Sequence, residues 1–141
     1  MTPRRAKILV PGEAAQGAAL VLGAPISFWG GIDPRSGLIA DVRHPQLGQS
    51  VTGRVLFLPG TIGSSSASAV LLELVRAELA PAALVLDQPD AVLLLGLIVA
   101  REMGWRAPPA ISLPRADHPL YSGLAVAVSA EGMLSAAPLP G

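Results

Sequence analysis

Val51-Thr52-Gly53-Arg54-Val55-Leu56-Phe57-Leu58-Pro59-Gly60-Thr61-Ile62-Gly63-Ser64-Ser65-Ser66-Ala67-Ser68 is the stretch on which the reading of this chain turns. Val55, Leu56, Phe57 and Leu58 follow one another without a polar interruption. Such a run suits a strand covered on both faces, and we place that strand at residues 51–58. Pro59 and Gly60 stop it, Gly63 prolongs the turn, and serine is a favoured helix N-cap. Val70, Leu71, Leu74, Val75 and Leu79 then recur at helical spacing, with Glu73 and Arg76 off that face. The spacing predicts a helix from the serine cluster to about residue 79.

Outward from this unit the pattern repeats. Ala80-Pro81 ends the helix, residues 84–86 form a strand, and Asp90 caps a second helix running to about Met103 and closed by Gly104. That helix is apolar nearly all round until Arg101 and Glu102, so it should be buried on most sides, within the domain or against a partner. A strand is expected at 111–113, and a hairpin of 124–128 with 133–136 through Glu131-Gly132. On the N-terminal side, strands are expected at 6–10, 18–22 and 38–42, with a loop at 43–50 holding His44-Pro45. Residues 1–5 and 138–141 read as loose ends. Strands and helices alternating through the centre give one compact α/β domain over 1–141.

Composition narrows the class. The chain has 141 residues, 51% apolar and only 14% charged, against roughly 25% charged in ordinary chains. Either a partner covers part of the surface, or scattered apolar residues lie there without function. Net charge is zero and Lys7 is the only lysine, so nucleic-acid binding has no electrostatic footprint. The absence of cysteine excludes disulfides, thiolate chemistry and a cysteine-ligated cluster held by this chain alone. Two histidines far apart make a zinc site improbable, and we expect no metal ligand here. The longest apolar run, 91–100, is about half of what spans a bilayer. With no signal-peptide pattern either, a cytoplasmic location is expected.

Chemistry concentrates in two segments. The serine loop leaves a buried strand, turns on glycines and enters a helix whose first N–H groups lack internal partners and, with the helix dipole, attract anions. A hydroxyl there can bind a carboxylate, or be held as an alkoxide and act as a base. It can equally do no more than cap the helix. Gly63-Ser64-Ser65-Ser66-Ala67 also has the context of a nucleophile turn, with Asp87 and His118 following in serine–acid–histidine order. The second segment, Ser27-Phe28-Trp29-Gly30-Gly31, sets two aromatics before two glycines. It reads as a pocket wall with backbone open to a ligand, or as a core aromatic pair with a turn.

The order Pro25-Ile26-Ser27-Phe28-Trp29-Gly30-Gly31-Ile32-Asp33-Pro34, then Gly37, Asp41, His44-Pro45, Gly48, Leu58-Pro59, Gly63-Ser64-Ser65, Ser68, Leu72-Glu73-Leu74, Ala80-Pro81-Ala82 and Gly96 resembles the small subunit of aconitase X. The resemblance covers roughly residues 12–103. It implies a swivelling β/β/α domain that closes over a site on a large subunit, in a heterodimer or higher assembly. It implies a hydro-lyase that dehydrates a small hydroxy acid, cis-3-hydroxy-L-proline or phosphomevalonate; the composition, rich in Ala, Leu and Arg with one Lys, favours the first and leaves the second as the alternative. It implies an iron or iron–sulfur centre on the large subunit and none here. Ser64 falls at the position of the proton acceptor. Ser65 also falls in the motif, where either serine could bind a substrate carboxylate; beside them Gly63, Ser27, Trp29, Gly30, Gly31 and His44 are the candidate substrate contacts from the local reading, with His44 readable equally as a residue that hydrogen-bonds its own loop. Two departures stand out. Thr61 and Ile62 occupy a turn that often carries Arg or Lys, and Ser66 stands where ordinary aconitases have Arg. Arg54 is a conceivable substitute for the missing cation. A non-catalytic anion-binding or regulatory module is the alternative from another class.

Overall fold

The computed structural model describes residues 2–63 and 65–140. The strands are β1 (Arg4–Arg5), β2 (Lys7–Val10), β3 (Ala15–Val21), β4 (Val55–Leu58), β5 (Ala83–Leu86), β6 (Ala110–Ser112), β7 (Leu124–Val128) and β8 (Met133–Pro138). A single helical turn, α1 (Phe28–Gly31), and two true helices, α2 (Ala67–Arg76) and α3 (Ala91–Glu102), accompany them, with a 3-10 segment at Arg115–Tyr121.

The strand order is β1-β8-β7-β3-β4-β5-β6-β2. Its two ends, β1 and β2, are consecutive in the chain with only Ala6 between them, so one short stretch supplies both edges. The sheet therefore curls towards a closed barrel, which leaves little open edge for another chain to pair with. β3 is the splice: its first half, Ala15 to Ala18, runs antiparallel to β7, and its second half, Ala19 to Val21, runs parallel to β4. At the splice a Cβ on Gly17 would lie 2.2 Å from the Gly53 carbonyl oxygen, so no side chain fits there.

Alternation along β4 explains its unbroken apolar run. Val55 and Phe57 face the barrel interior with Val85, Ile111, Tyr121 and Val126. Leu56 and Leu58 face the helical layer with Leu71, Leu74, Leu93 and Leu97. Both faces are dry, so both must be apolar. The helical layer is tight where α3 crosses α2: a Cβ on Gly96 would lie 2.5 Å from the Ser68 carbonyl oxygen. α3 is less enclosed than its composition implies, since Val92, Leu95 and Ile98 are about half exposed on its outer face.

Several expected boundaries move, each for a local reason. Residues 38–42 are not a strand: Leu38 and Ile39 make isolated bridges to Ser50 and Ile32, and Asp41 Oδ1 accepts the Arg43 N–H to start a turn. The strand expected at 51–58 begins only at Val55, because Gly53 turns the chain with φ +69°. α2 stops at Arg76: Glu78 takes a left-handed φ of 60° while its N–H reaches Val75 O (3.1 Å) and the Leu79 N–H reaches Leu74 O (2.8 Å). That closure is normally signalled by glycine, and here a glutamate makes it. At the ends, Arg4 and Arg5 pair with Leu134 and Met133, and β8 runs to Pro138, so neither expected loose end is wholly loose. No described helix is long and apolar enough to cross a membrane.

Candidate functional site

Parallel strands β3, β4, β5 and β6 end at one edge of the barrel, so the loops that leave them gather there. The loop after β3 pairs directly with the loop after β4. Ile26 bridges to Thr61, the Ile62 N–H donates to Ile26 O (3.0 Å), and the Ile26 N–H reaches Gly60 O (3.4 Å). The two segments singled out in the sequence are thus joined, with Ser27–Gly31 beginning beside the Gly60–Gly63 turn.

At this junction Phe28 is buried in the helical-layer core, while Trp29 is 62% exposed. The core aromatic pair is therefore split, one ring inside and one on the surface. Gly30 (φ +78°) and Gly63 both have open space where a Cβ would stand, so a ligand can approach either backbone. Gly31 is different: it is buried, Ile26 Cγ1 lies 2.8 Å from its would-be Cβ, and its carbonyl accepts the Ala40 N–H. Its smallness serves packing. Ser64 lies outside the described residues. Ser65 is exposed and its carbonyl accepts the Ser68 hydroxyl (3.3 Å). Ser66 stands at the N-cap of α2 with near-helical angles (φ −82°, ψ −10°), and its side chain makes no capping bond.

The turn at Thr61 is firmly held. The Thr61 hydroxyl donates to Asp90 Oδ2 (2.7 Å), and Asp90 Oδ1 accepts the Leu93 N–H (3.0 Å), capping α3. Gly60, Thr61, Asp87, Asp90 and Val92 line a cleft of about 420 Å³ beside the serine loop. The sequence placed Asp90 as a helix cap but gave no sign of its second bond, because residues 61 and 90 lie far apart along the chain.

His44, expected on the substrate, has both nitrogens engaged. Nε2 donates to Ala24 O (2.9 Å) and Nδ1 accepts the Gln46 N–H (3.0 Å), so the buried ring pins the 41–50 loop to the end of β3. Arg54 does not substitute for a turn cation. Its guanidinium donates to Ala18 O (3.2 Å) and Ala19 O (2.8 Å) at the opposite end of β4. Of the serine–acid–histidine order, the described members Asp87 and His118 are not hydrogen-bonded to each other. Asp87 Oδ1 accepts the Arg115 N–H (2.9 Å), and the buried His118 ring donates from Nε2 to Leu113 O (2.8 Å). Burial pushes the His118 pKa down, which keeps the imidazole neutral. Among the described residues no group of three or more His, Cys, Asp or Glu could hold a metal ion.

Residues 4–136 match the aconitase X swivel domain family. The chain is 46% identical over 110 residues to a cis-3-hydroxy-L-proline dehydratase of Pseudomonas aeruginosa, covering 75% of this chain and 19% of that one. It is 39% identical over 85 residues to the phosphomevalonate dehydratase small subunit of Methanothermobacter thermautotrophicus, covering 60% of this chain and 65% of that one. The crystal structure of holo aconitase X from Thermococcus kodakaraensis superposes with a TM-score of 0.83 at 26% identity, over 97% of this chain and 99% of that one. The chain thus spans about a fifth of the length of the hydroxyproline dehydratase that it matches.

Proposed function

The chain belongs to the aconitase X swivel-domain family, and from that premise we propose that it is the small subunit of an aconitase X-type hydro-lyase with Ser64 as its general base. One observation carries the reading. The Gly60–Gly63 turn and the Ser27–Gly31 segment are hydrogen-bonded together at the edge where the parallel strands end, with open backbone at Gly30 and Gly63. Residue 64 follows that open turn and precedes α2, a helix of 10 residues with no acidic side chain in its first turn. The unpaired N–H groups of such a helix start favour negative charge close by. A serine alkoxide is then less costly, and Ser64 takes the proton from the substrate carbon as the hydroxyl leaves the adjacent carbon. Ser65, exposed beside it, contacts the substrate carboxylate, and Trp29 walls the ligand from the other segment.

The preferred substrate is cis-3-hydroxy-L-proline, because the higher identity lies with that dehydratase. Phosphomevalonate is the alternative. A large subunit supplies what this domain lacks. The residues here do not suit an iron or iron–sulfur centre: the chain has no cysteine, and its described acidic and histidine side chains form no ligand group. We place that centre on the large subunit, where it would supply Lewis acidity.

The test is Ser64→Ala in the chain reconstituted with its large subunit, with complex formation checked first. Turnover of cis-3-hydroxy-L-proline should fall about a hundredfold to ten-thousandfold, the usual weight of a general base. Near wild-type turnover removes Ser64 from the role. Turnover of phosphomevalonate in place of hydroxyproline moves the assignment to the alternative. Binding of either without turnover makes the domain a non-catalytic module.

A further inference from the structure

We infer that Thr61 and Asp90 form a latch that sets the position of the serine loop, so that both act as positioning residues for the dehydration; this rests on Ser64 being the base. The latch is a hydroxyl-to-carboxylate bond of 2.7 Å, a well-formed length for an O–H donor, and its acceptor is a carboxylate. The other carboxylate oxygen accepts the Leu93 N–H at 3.0 Å. With both oxygens engaged, the carboxylate cannot rotate without losing a bond, and the loop is referred to a helix of 12 residues. The turn that carries Asp90 is itself fixed from the sheet side. The Asp87 N–H donates to Leu58 O (3.3 Å), and Asp87 Oδ1 accepts the Arg115 N–H (2.9 Å).

Beyond the loop, the first turn of α2 meets α3 where Gly96 lets the backbone of Ser68 approach closely. Residue 64 lies between these two contacts, three residues after Thr61 and four before Ser68. Between them the Ile62 N–H donates to Ile26 O (3.0 Å), a Cβ on Gly63 would stand in open space, and the Ser65 carbonyl accepts the Ser68 hydroxyl. Thr61 is thus the last described side chain to tie the loop to the rest of the domain before the base. A proton acceptor must lie within hydrogen-bond reach of the proton it takes, and small displacements are costly there. Of Thr61 and Ile62, the two residues of this turn before Gly63, Thr61 is the one whose side chain reaches Asp90.

The experiment replaces Thr61 with Val, which keeps the size and branching and removes the donor, while Asp90 still caps α3. In the reconstituted complex, kcat on cis-3-hydroxy-L-proline should fall about tenfold to a hundredfold with little change in KM. Thr61→Ser should restore most of it. In the Ser64→Ala background, Thr61→Val should cost nothing further, the non-additivity expected of a residue acting through another. In the chain alone, amide hydrogen exchange at residues 62–66 should quicken while the amides of α3 stay as they were. Full kcat in Thr61→Val beside a dead Ser64→Ala overturns the latch and leaves the base standing. Full turnover in Ser64→Ala overturns the base, and with it the positioning role. Unchanged exchange at 62–66 overturns the latch on structural grounds alone.

Discussion

Gly96→Ala tests the packing on which the serine loop depends. In the middle of an exposed helix this change would stabilise by about 1 kcal/mol, because alanine is the better helix former. Here the new methyl would stand 2.5 Å from Ser68 O and 3.3 Å from Leu72 N, both backbone atoms of α2 that cannot swing aside. Relief requires α2 and α3 to part by roughly 1 Å, towards the ordinary contact distance. A gap of that size forfeits about a quarter to a half of each dispersion contact along the seam. Overpacking costs about 1–3 kcal/mol, and against two backbone atoms this case lies at about 2–3 kcal/mol. The opposing effects leave a net destabilisation of about 1–2 kcal/mol, which is roughly 2–8 °C in Tm for a domain of this size. Urea unfolding followed by far-UV circular dichroism measures it, with the half-exposed Leu95→Ala on the same helix as the control. A Gly96→Ala chain as stable as the wild type, or more so, would show the propensity gain unopposed and refute the close approach.

Two further outcomes follow from a buried histidine and a half-buried arginine. The folded chain keeps His118 neutral by burial, with its ordinary pKa being 6.5. Above that value both folded and unfolded forms are neutral at this site. Below it the unfolded chain takes a proton that the folded chain resists, so stability is lost as pH falls. Thermal unfolding between pH 7.5 and 5 should show this loss, and His118→Gln should flatten it; an identical profile in the variant contradicts the assignment. Arg54→Ala should lower stability by about 1–3 kcal/mol, since a charged donor to two β3 carbonyls is removed. KM for the substrate should be unchanged, and a raised KM with intact stability would return Arg54 to the site.

Much of the architecture was legible because it rests on local pattern. The apolar run at β4 announced a strand buried on two faces, the periodicity of α2 its buried stripe, and Asp90 the start of α3. What was illegible depends on partners distant in sequence. Nothing near Arg4 and Arg5 reveals that they complete a sheet with Leu134 and Met133. The left-handed turn at Glu78 was hidden because no glycine marks it. Leu38 and Ile39 alternate like a strand but have single bridging partners rather than a neighbouring strand. The site divides in the same way. Glycine and serine types pointed to the two segments, whereas the Ile26–Thr61 junction and the occupied nitrogens of His44 are tertiary facts.

The turn chemistry also bears on where the base obtains its strength. A carboxylate near a serine opposes its ionisation, and a cation in the turn would offset that effect. At position 61 this chain has a neutral hydroxyl, which satisfies the Asp90 oxygen while leaving its charge in place. Among the described residues Asp90 makes no ion pair. The Thr61–Asp90 bond therefore adds no positive charge that would favour an alkoxide. The start of α2 contributes in that direction, but the effect of a helix dipole falls off within one turn and is screened by water. Excluding water is what would strengthen it. In the proposed enzyme a domain with this loop can position a serine by itself, through Asp90 and the α2–α3 contact. Making that serine basic requires the site to be covered, which ties its chemistry to closure against the large subunit.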